Sequence, residues 1–77
     1  MAELANRLPD NVPGPFYVDS QCIDCDVCRI TAPRNFRRNE SRGYSYVFRQ
    51  PTRIGQRERC LDAVACCPVE AIGADGR

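Results

Sequence analysis

Residues 22–33 read CIDCDVCRITAP and place three cysteines at strict three-residue spacing, at Cys22, Cys25 and Cys28. A tight loop with this spacing can point every third side chain at a different iron atom of a cubane iron–sulfur cluster, while its backbone N–H groups face the sulfur atoms. Zinc sites more often use two separated Cys-x-x-Cys pairs. The run therefore favours an iron–sulfur cluster, with a zinc site or disulfides as the alternatives.

The length of the chain makes a bound metal or a cross-link important for folding. At 77 residues, the protein is expected to form one small domain. Such a domain buries only about 60–65% of the surface that its unfolded chain exposes, so it often needs a further source of stability. The six cysteines can provide it, either as disulfides or as metal ligands.

The charge of the chain gives no electrostatic reason to expect nucleic acid or an acidic membrane as a partner, because the formal net charge is only +1. All eleven basic residues are arginine, a residue that favours paired contacts with carboxylates or phosphates. The arginines that could form a docking face are Arg34, Arg37, Arg38, Arg42, Arg49, Arg53, Arg57 and Arg59. An ordinary solvated surface is the alternative interpretation.

The N-terminal residues MAELANRLPDNVPGPF lack the apolar segment of a secretory signal. No apolar run approaches the ~18–20 residues of a membrane helix. We therefore expect a soluble, cytoplasmic protein with no membrane contact. In a reducing compartment, clustered cysteines serve as metal or redox sites rather than as disulfides.

Local sequence signals divide the chain into an irregular lead-in over residues 1–15, a central domain over 16–73 and a short tail over 74–77. The elements predicted within it are a strand at Phe16–Val18, a helical turn at Cys28–Ala32, a hairpin with its turn at Asn39–Gly43, one clear helix at Gln56–Cys66 and a strand at Glu70–Ile72. In the second hairpin strand, Tyr44, Tyr46 and Phe48 alternate with smaller or charged residues. We expect this aromatic face to be the buried one.

The chain resembles the single-cluster bacterial [4Fe–4S] ferredoxins over residues 16–73, through the segments CIDCDVC, TAPRNF, RGYSYVF and ACCPVEAI. The resemblance implies a small α+β ferredoxin-like fold built around one [4Fe–4S] cluster. It also implies a monomeric electron carrier rather than an enzyme. Such a protein passes single electrons at low potential, between the 2+ and 1+ cluster states, from a reductase to a terminal redox enzyme.

Ferredoxins with two clusters carry the run C-x2-C-x2-C-x3-C-P twice, and the fourth cysteine of each run binds the other cluster. Here Ala32 replaces the fourth cysteine of the first run, and the second run reads Arg57, Cys60, Ala63, Cys67. The resemblance therefore implies that the second cluster is lost. It also implies that the first cluster is complete, with the ligands Cys22, Cys25, Cys28 and Cys67.

Two further points concern residues near this site. Asp24 and Asp26 stand where the family often has Ala or Gly, but aspartate tolerates a left-handed backbone, so the loop can still form. Cys60 and Cys66 are expected not to bind the cluster. We expect Cys60 to pack in the core, and Cys66 to be either packed or exposed.

Three alternatives to a free carrier stay open. They are an accessory iron–sulfur subunit of a larger redox enzyme, a zinc-stabilised binding module without a redox role, and a [3Fe–4S] form that arises by oxidative damage.

Overall fold

The protein has an α+β fold, as the sequence predicts, with two helices and two small antiparallel sheets. The computed structural model describes residues 2–76. Its elements are a 3-10 turn (Leu4–Asn6), β1 (Tyr17–Val18), α1 (Val27–Thr31), β2 (Phe36–Asn39), β3 (Tyr44–Val47), α2 (Ile54–Cys66) and β4 (Ile72–Gly73). No helix within this described part of the chain is long and apolar enough to cross a membrane.

The first sheet joins the beginning and the end of the domain. Strands β1 and β4 pair antiparallel, with Tyr17 opposite Gly73 and Val18 opposite Ile72. Beyond β4, the backbone N–H of Gly76 donates to the carbonyl of Pro15 at 2.7 Å. The strand predicted at Phe16–Val18 is therefore confirmed at Tyr17–Val18, whereas the strand predicted at Glu70–Ile72 lies later, at Ile72–Gly73.

The second sheet is the predicted hairpin of β2 and β3, which pair antiparallel from Phe36–Val47 to Asn39–Tyr44. Its turn depends on the Asn39 side chain, whose Oδ1 accepts the backbone N–H groups of Ser41 and Arg42 at 3.1 and 3.0 Å. Gly43 has φ +72°, a left-handed conformation that glycine adopts without steric cost.

The two helices pack against each other. The predicted helix at residues 56–66 begins two residues earlier, at Ile54. The predicted turn before Pro33 is the five-residue helix α1, which ends at Thr31. It stops there because a residue before proline is disfavoured in the helical region, and Ala32 has φ −134° and ψ 66°.

The predicted orientation of β3 is wrong. Ser45 and Val47 face the core with 1% and 0% of their surfaces exposed, whereas Tyr44, Tyr46 and Phe48 are only half-buried. On this inner face, Ser45 lies beside the cysteine loop, with its backbone N–H 3.4 Å from Cys22 Sγ, and Val47 belongs to the hydrophobic core.

The outward aromatic side chains of the hairpin are held by polar partners. The Tyr44 hydroxyl donates to Asp10 Oδ1 at 2.6 Å. The guanidinium of Arg37 lies 4.0 Å from the centroid of the Phe48 ring. Both contacts let an aromatic ring cover the surface without entering the core.

The N-terminal segment packs on the core although it has little regular structure. Leu8 and Val12 lie against the buried cluster that contains Phe16, Phe36 and Val47. The domain boundaries at residues 16 and 73 stay a prediction.

Asn11 ties the N-terminal segment to both sheets. Its Nδ2 donates to the carbonyls of Leu8 and Val18 at 2.8 and 2.9 Å. Its Oδ1 accepts the backbone N–H groups of Val18 and Val47 at 3.1 and 2.9 Å. One side chain thus joins three segments that are distant in sequence.

Replacing Asn11 with alanine should therefore destabilise the domain by about 2–4 kcal/mol, because several half-buried backbone groups lose their partner. Thermal melting of the cluster-loaded protein measures the loss. The matched control is Asn6→Ala, at an exposed residue, which should change stability by less than about 0.5 kcal/mol. Equal melting temperatures for the two variants would contradict the bridging role of Asn11.

Candidate metal centre

The four cysteines expected to bind a cluster line one pocket between the two sheets and the helices. Its wall consists of Val18, Cys22, Ile23, Cys25, Cys28, Ser45, Cys67, Val69, Ala71 and Ile72. The two other cysteines, Cys60 and Cys66, are not part of it. The fold therefore brings together Cys67 and the three-cysteine run, which are far apart in sequence.

Different elements position the four thiols. Cys22 and Cys25 lie in the loop between β1 and α1, and Cys28 lies in the first turn of α1. Cys67 is the C-cap residue directly after α2, with an extended backbone at φ −67° and ψ 117°. The packing of α1 against α2 thus sets the distance between Cys28 and Cys67.

The cysteine loop is shaped by two left-handed residues, Asp24 with φ +59° and Asp26 with φ +70°. Each reverses the local direction of the chain, so that Cys22, Cys25 and Cys28 face one pocket. The expectation that aspartate would allow the loop to form is confirmed. Asp26 also precedes the first residue of α1.

The Asp24 carboxylate ties the loop to a helix and a strand. Its Oδ1 lies 2.9 Å from Arg29 Nη1, and its Oδ2 lies 2.8 Å from Arg38 Nη2. Hydrogen bonds from Arg38 and then Arg29 hold the pKa of Asp24 down at about 2. The sequence indicates Arg38 only as part of a possible docking face. Its partner lies 14 residues away, and no local signal indicates that contact.

Two backbone N–H groups point at cysteine sulfur atoms. The N–H of Ser45 donates to Cys22 Sγ at 3.4 Å, and the N–H of Ala71 donates to Cys67 Sγ at 3.2 Å. The second contact follows from a left-handed residue, Glu70 with φ +53°, which turns the chain back toward Cys67. Such donors stabilise negative charge on sulfur.

The Ser45 hydroxyl is a further polar group at the pocket. Its Oγ is buried and has no hydrogen-bond partner among the described residues. Burial raises the pKa of the Cys28 thiol, and the nearby Ser45 side chain opposes this rise, although it is not in hydrogen-bonding geometry with the sulfur. An unpartnered buried hydroxyl can donate to an acceptor that occupies the pocket.

This donor set fits an iron–sulfur cluster. It offers four thiols, two N–H groups directed at cysteine sulfur atoms and one unpartnered hydroxyl. The core of such a cluster consists of iron, which thiolates bind, and sulfide, which accepts hydrogen bonds. Within residues 2–76, no three Cys, Asp or Glu side chains gather closely enough to bind one metal ion. The four thiols instead share the lining of one pocket.

The remaining cysteines have different surroundings. Cys60 is fully buried in the hydrophobic core, and burial raises its pKa to about 11. Cys66 is exposed, and all six cysteines are free thiols. The expected packing of Cys60 in the core is confirmed, and Cys66 is exposed, which is one of the two surroundings expected for it.

The positions of the lost second cluster are filled with core atoms. Ala32, Cys60 and Ala63 belong to the same buried cluster, with 1%, 0% and 0% of their surfaces exposed. Arg57, the fourth position, is exposed and lies 5.7 Å from the centroid of the Phe16 ring.

Four thiols around one pocket of a small α+β domain are the arrangement that an iron–sulfur electron-transfer protein needs. The chain belongs to the family described as the 4Fe-4S single cluster domain of Ferredoxin I, whose model matches residues 18–74. It is thus a single-cluster [4Fe–4S] ferredoxin domain, and the resemblance noted in the sequence is confirmed. A comparison with curated proteins gave no match.

Proposed function

We propose that the protein is a one-electron carrier whose single [4Fe–4S] cluster is bound by Cys22, Cys25, Cys28 and Cys67. The observation that supports this most directly is the pocket lined by these four thiols in a chain of the single-cluster ferredoxin family. When bound, the cluster supplies a reversible one-electron couple at low potential. The protein itself transforms no substrate in this proposal.

The residues around the pocket would bind the cluster and control its surroundings. The N–H groups of Ser45 and Ala71 offset negative charge on Cys22 and Cys67, which favours the reduced, more negative state. The apolar side chains Val18, Val69 and Ile72 in the wall limit the access of water.

One side of the pocket is open to a partner. Cys25 is exposed, and the neighbouring Ile23 has 58% of its surface exposed. A redox protein could therefore approach the Cys25 sulfur without any movement of the core. The electron donor and acceptor in this proposal are a reductase and a terminal redox enzyme.

The proposal includes a monomeric protein in the cytoplasm, where thiols stay reduced. An accessory subunit of a larger redox enzyme is the second candidate function. The exposed Ile23 beside Cys25 is the contact that such a permanent partner would cover. Size-exclusion chromatography of the protein in a native extract separates the two, because a carrier elutes on its own.

Anaerobic analysis of iron and acid-labile sulfide tests the cofactor and the ligand count. We expect about four iron and four sulfide per chain, with one electron taken up on reduction. Zinc without sulfide would contradict the electron-carrier function and support the binding-module alternative.

The Asp24→Asn variant tests the electrostatic setting of the cysteine loop. The change removes a negative charge beside the cluster and leaves Arg29 and Arg38 without their shared carboxylate. Reduction becomes easier, so the midpoint potential should rise by tens of millivolts. Protein-film voltammetry measures the shift.

Glu40→Gln is the matched control for this variant. Glu40 also contacts Arg38, but its side chain is 82% exposed and lies outside the cysteine loop. We expect a much smaller shift because water screens this charge. A potential that falls in Asp24→Asn, or that shifts equally in both variants, would refute the role assigned to Asp24.

A further inference from the structure

A second concave site, which none of the cysteines lines, lies at the start of α2. Its volume is about 490 Å³, within the range of ligand and docking pockets. We call it the arginine pocket, and its lining residues are Ala32, Pro33, Arg34, Asn35, Arg53, Gly55, Gln56 and Arg59. Of the eight arginines that could form a docking face, three line this pocket: Arg34, Arg53 and Arg59.

The arginine pocket has strong and uncompensated positive character. Arg34, Arg53 and Arg59 are exposed, and none of them pairs with a carboxylate within residues 2–76. The pocket lining contains no acidic residue. Three guanidinium groups that share one concavity, each free to bind a carboxylate, favour an anionic partner.

The backbone adds to this preference. The pocket includes the first turn of the 13-residue helix α2, and the N-cap residue Arg53 makes no capping hydrogen bond with its side chain. The first N–H groups of a helix have no partner within the helix and carry partial positive charge. Gly55 and Gln56 of this first turn belong to the pocket lining, together with Arg53.

The edge of the pocket indicates a protein rather than a small anion. Ile54 stands between the lining residues Arg53 and Gly55 and has 79% of its surface exposed. A phosphate or similar ion would leave this side chain in water. An acidic protein segment with an apolar contact residue would cover it, and arginine beside an apolar residue is a common interface composition.

The pocket is also close to the proposed cluster. Ala32 forms part of its lining, and the backbone N–H of Ala32 donates to the carbonyl of Cys28 at 2.8 Å. The two residues are separated by about one turn of α1, roughly 6 Å along the helix axis. A protein docked on the pocket would therefore sit near the electron-transfer centre.

From these observations we propose that the arginine pocket is the docking site for an acidic segment of the redox partner. This inference rests on the proposed electron-carrier function. Attraction between the three arginines and carboxylates of the partner would speed encounter and orient the partner near Cys28.

Binding of a fluorescent glutamate-rich peptide with one central leucine tests the proposal. The cluster-loaded protein is titrated at low salt, and the dissociation constant is measured by fluorescence anisotropy. Replacing Arg34, Arg53 and Arg59 together with glutamine should weaken binding by about tenfold, since each exposed pair contributes a modest amount. Ile54→Ser should weaken peptide binding further, and high salt should remove most of the binding.

The matched control replaces Arg37, Arg42 and Arg49 with glutamine. These arginines are equally exposed but do not line the pocket, so the net charge changes by the same amount. We expect less than about a twofold effect on peptide binding. Equal weakening by both triple variants would show that only net charge matters and would overturn the proposal.

Competition with pyrophosphate separates a protein-docking site from a small-anion site. We expect pyrophosphate to displace the peptide only weakly. Tight pyrophosphate binding that requires the three arginines and is indifferent to Ile54→Ser would overturn the docking proposal. If the triple variant has a lowered melting temperature, Arg34→Gln, Arg53→Gln and Arg59→Gln are compared singly, with about a twofold loss expected from each.

The outcome is independent of the test of the electron-carrier function. The peptide assay measures binding without electron transfer, and the iron and sulfide analysis measures the cofactor without a partner. If peptide binding depends on the arginine pocket but the analysis finds no sulfide, the electron-carrier function would be refuted, and the pocket would remain a binding site for acidic peptides.

Discussion

Cys67→Ala should abolish the stable [4Fe–4S] cluster or leave only a damaged one. Cys67 lines the pocket opposite the three-cysteine run, and its Sγ accepts the N–H of Ala71 at 3.2 Å. Loss of this thiol removes the only proposed ligand that comes from outside the run. Visible absorption and the iron and sulfide content of the anaerobically purified variant measure the effect.

Cys66→Ala is the control for this experiment, because it removes the neighbouring thiol. Cys66 is exposed and does not line the pocket, so the cluster absorption should be unchanged. Cys60→Ala should also retain the cluster, although it opens a small cavity in the core. Loss of the cluster in Cys66→Ala together with retention in Cys67→Ala would mean that the ligand is the other member of the pair.

The second large effect is the loss of the native fold when the cluster is removed. A domain of this size buries too little surface for a robust core, and several residues of the core border the cysteine pocket, among them Val18, Cys28 and Ile72. The free energy of binding a metal site in so small a domain is largely free energy of folding. Anaerobic chelation of the iron should therefore abolish the near-ultraviolet circular dichroism and the cooperative thermal transition.

Reconstitution provides the control for the chelation experiment. Iron and sulfide added under reducing conditions should restore both the visible absorption and the cooperative transition. An iron-free protein that still melts cooperatively at a similar temperature would contradict the coupling between cluster binding and folding.

Several features of the fold could be predicted because they depend on local sequence. The hairpin follows from alternation and from turn residues, and most of α2 follows from the local sequence, which predicts a helix at Gln56–Cys66. Strands predicted at Phe16–Val18 and Glu70–Ile72 lie at Tyr17–Val18 and Ile72–Gly73. The pairing of Cys67 with the first run required knowledge of the family, since no local signal connects residues that are so far apart.

Other features could not be predicted because they depend on tertiary contacts. Alternation in β3 shows that the strand has two faces, but it does not show which one is buried. The preference of aromatic residues for the core does not hold here: Ser45 and Val47 form the buried face, and Ser45 lies in the wall of the cysteine pocket. The bridges made by Asn11 and by the Asp24–Arg38 pair also join residues with no common local pattern.

The filled second site has a consequence for the evolutionary history of such a domain. To rebuild a cluster there, cysteine would have to return at positions 32, 57 and 63, and two of these positions are closed within the core. Each added sulfur atom in a packed core costs about 1–3 kcal/mol, whereas the gain from a cluster comes only after the last ligand is in place. A cysteine at either buried position, 32 or 63, thus makes an intermediate sequence less stable than the present one, so a stepwise return of the second site has to pass through less stable sequences.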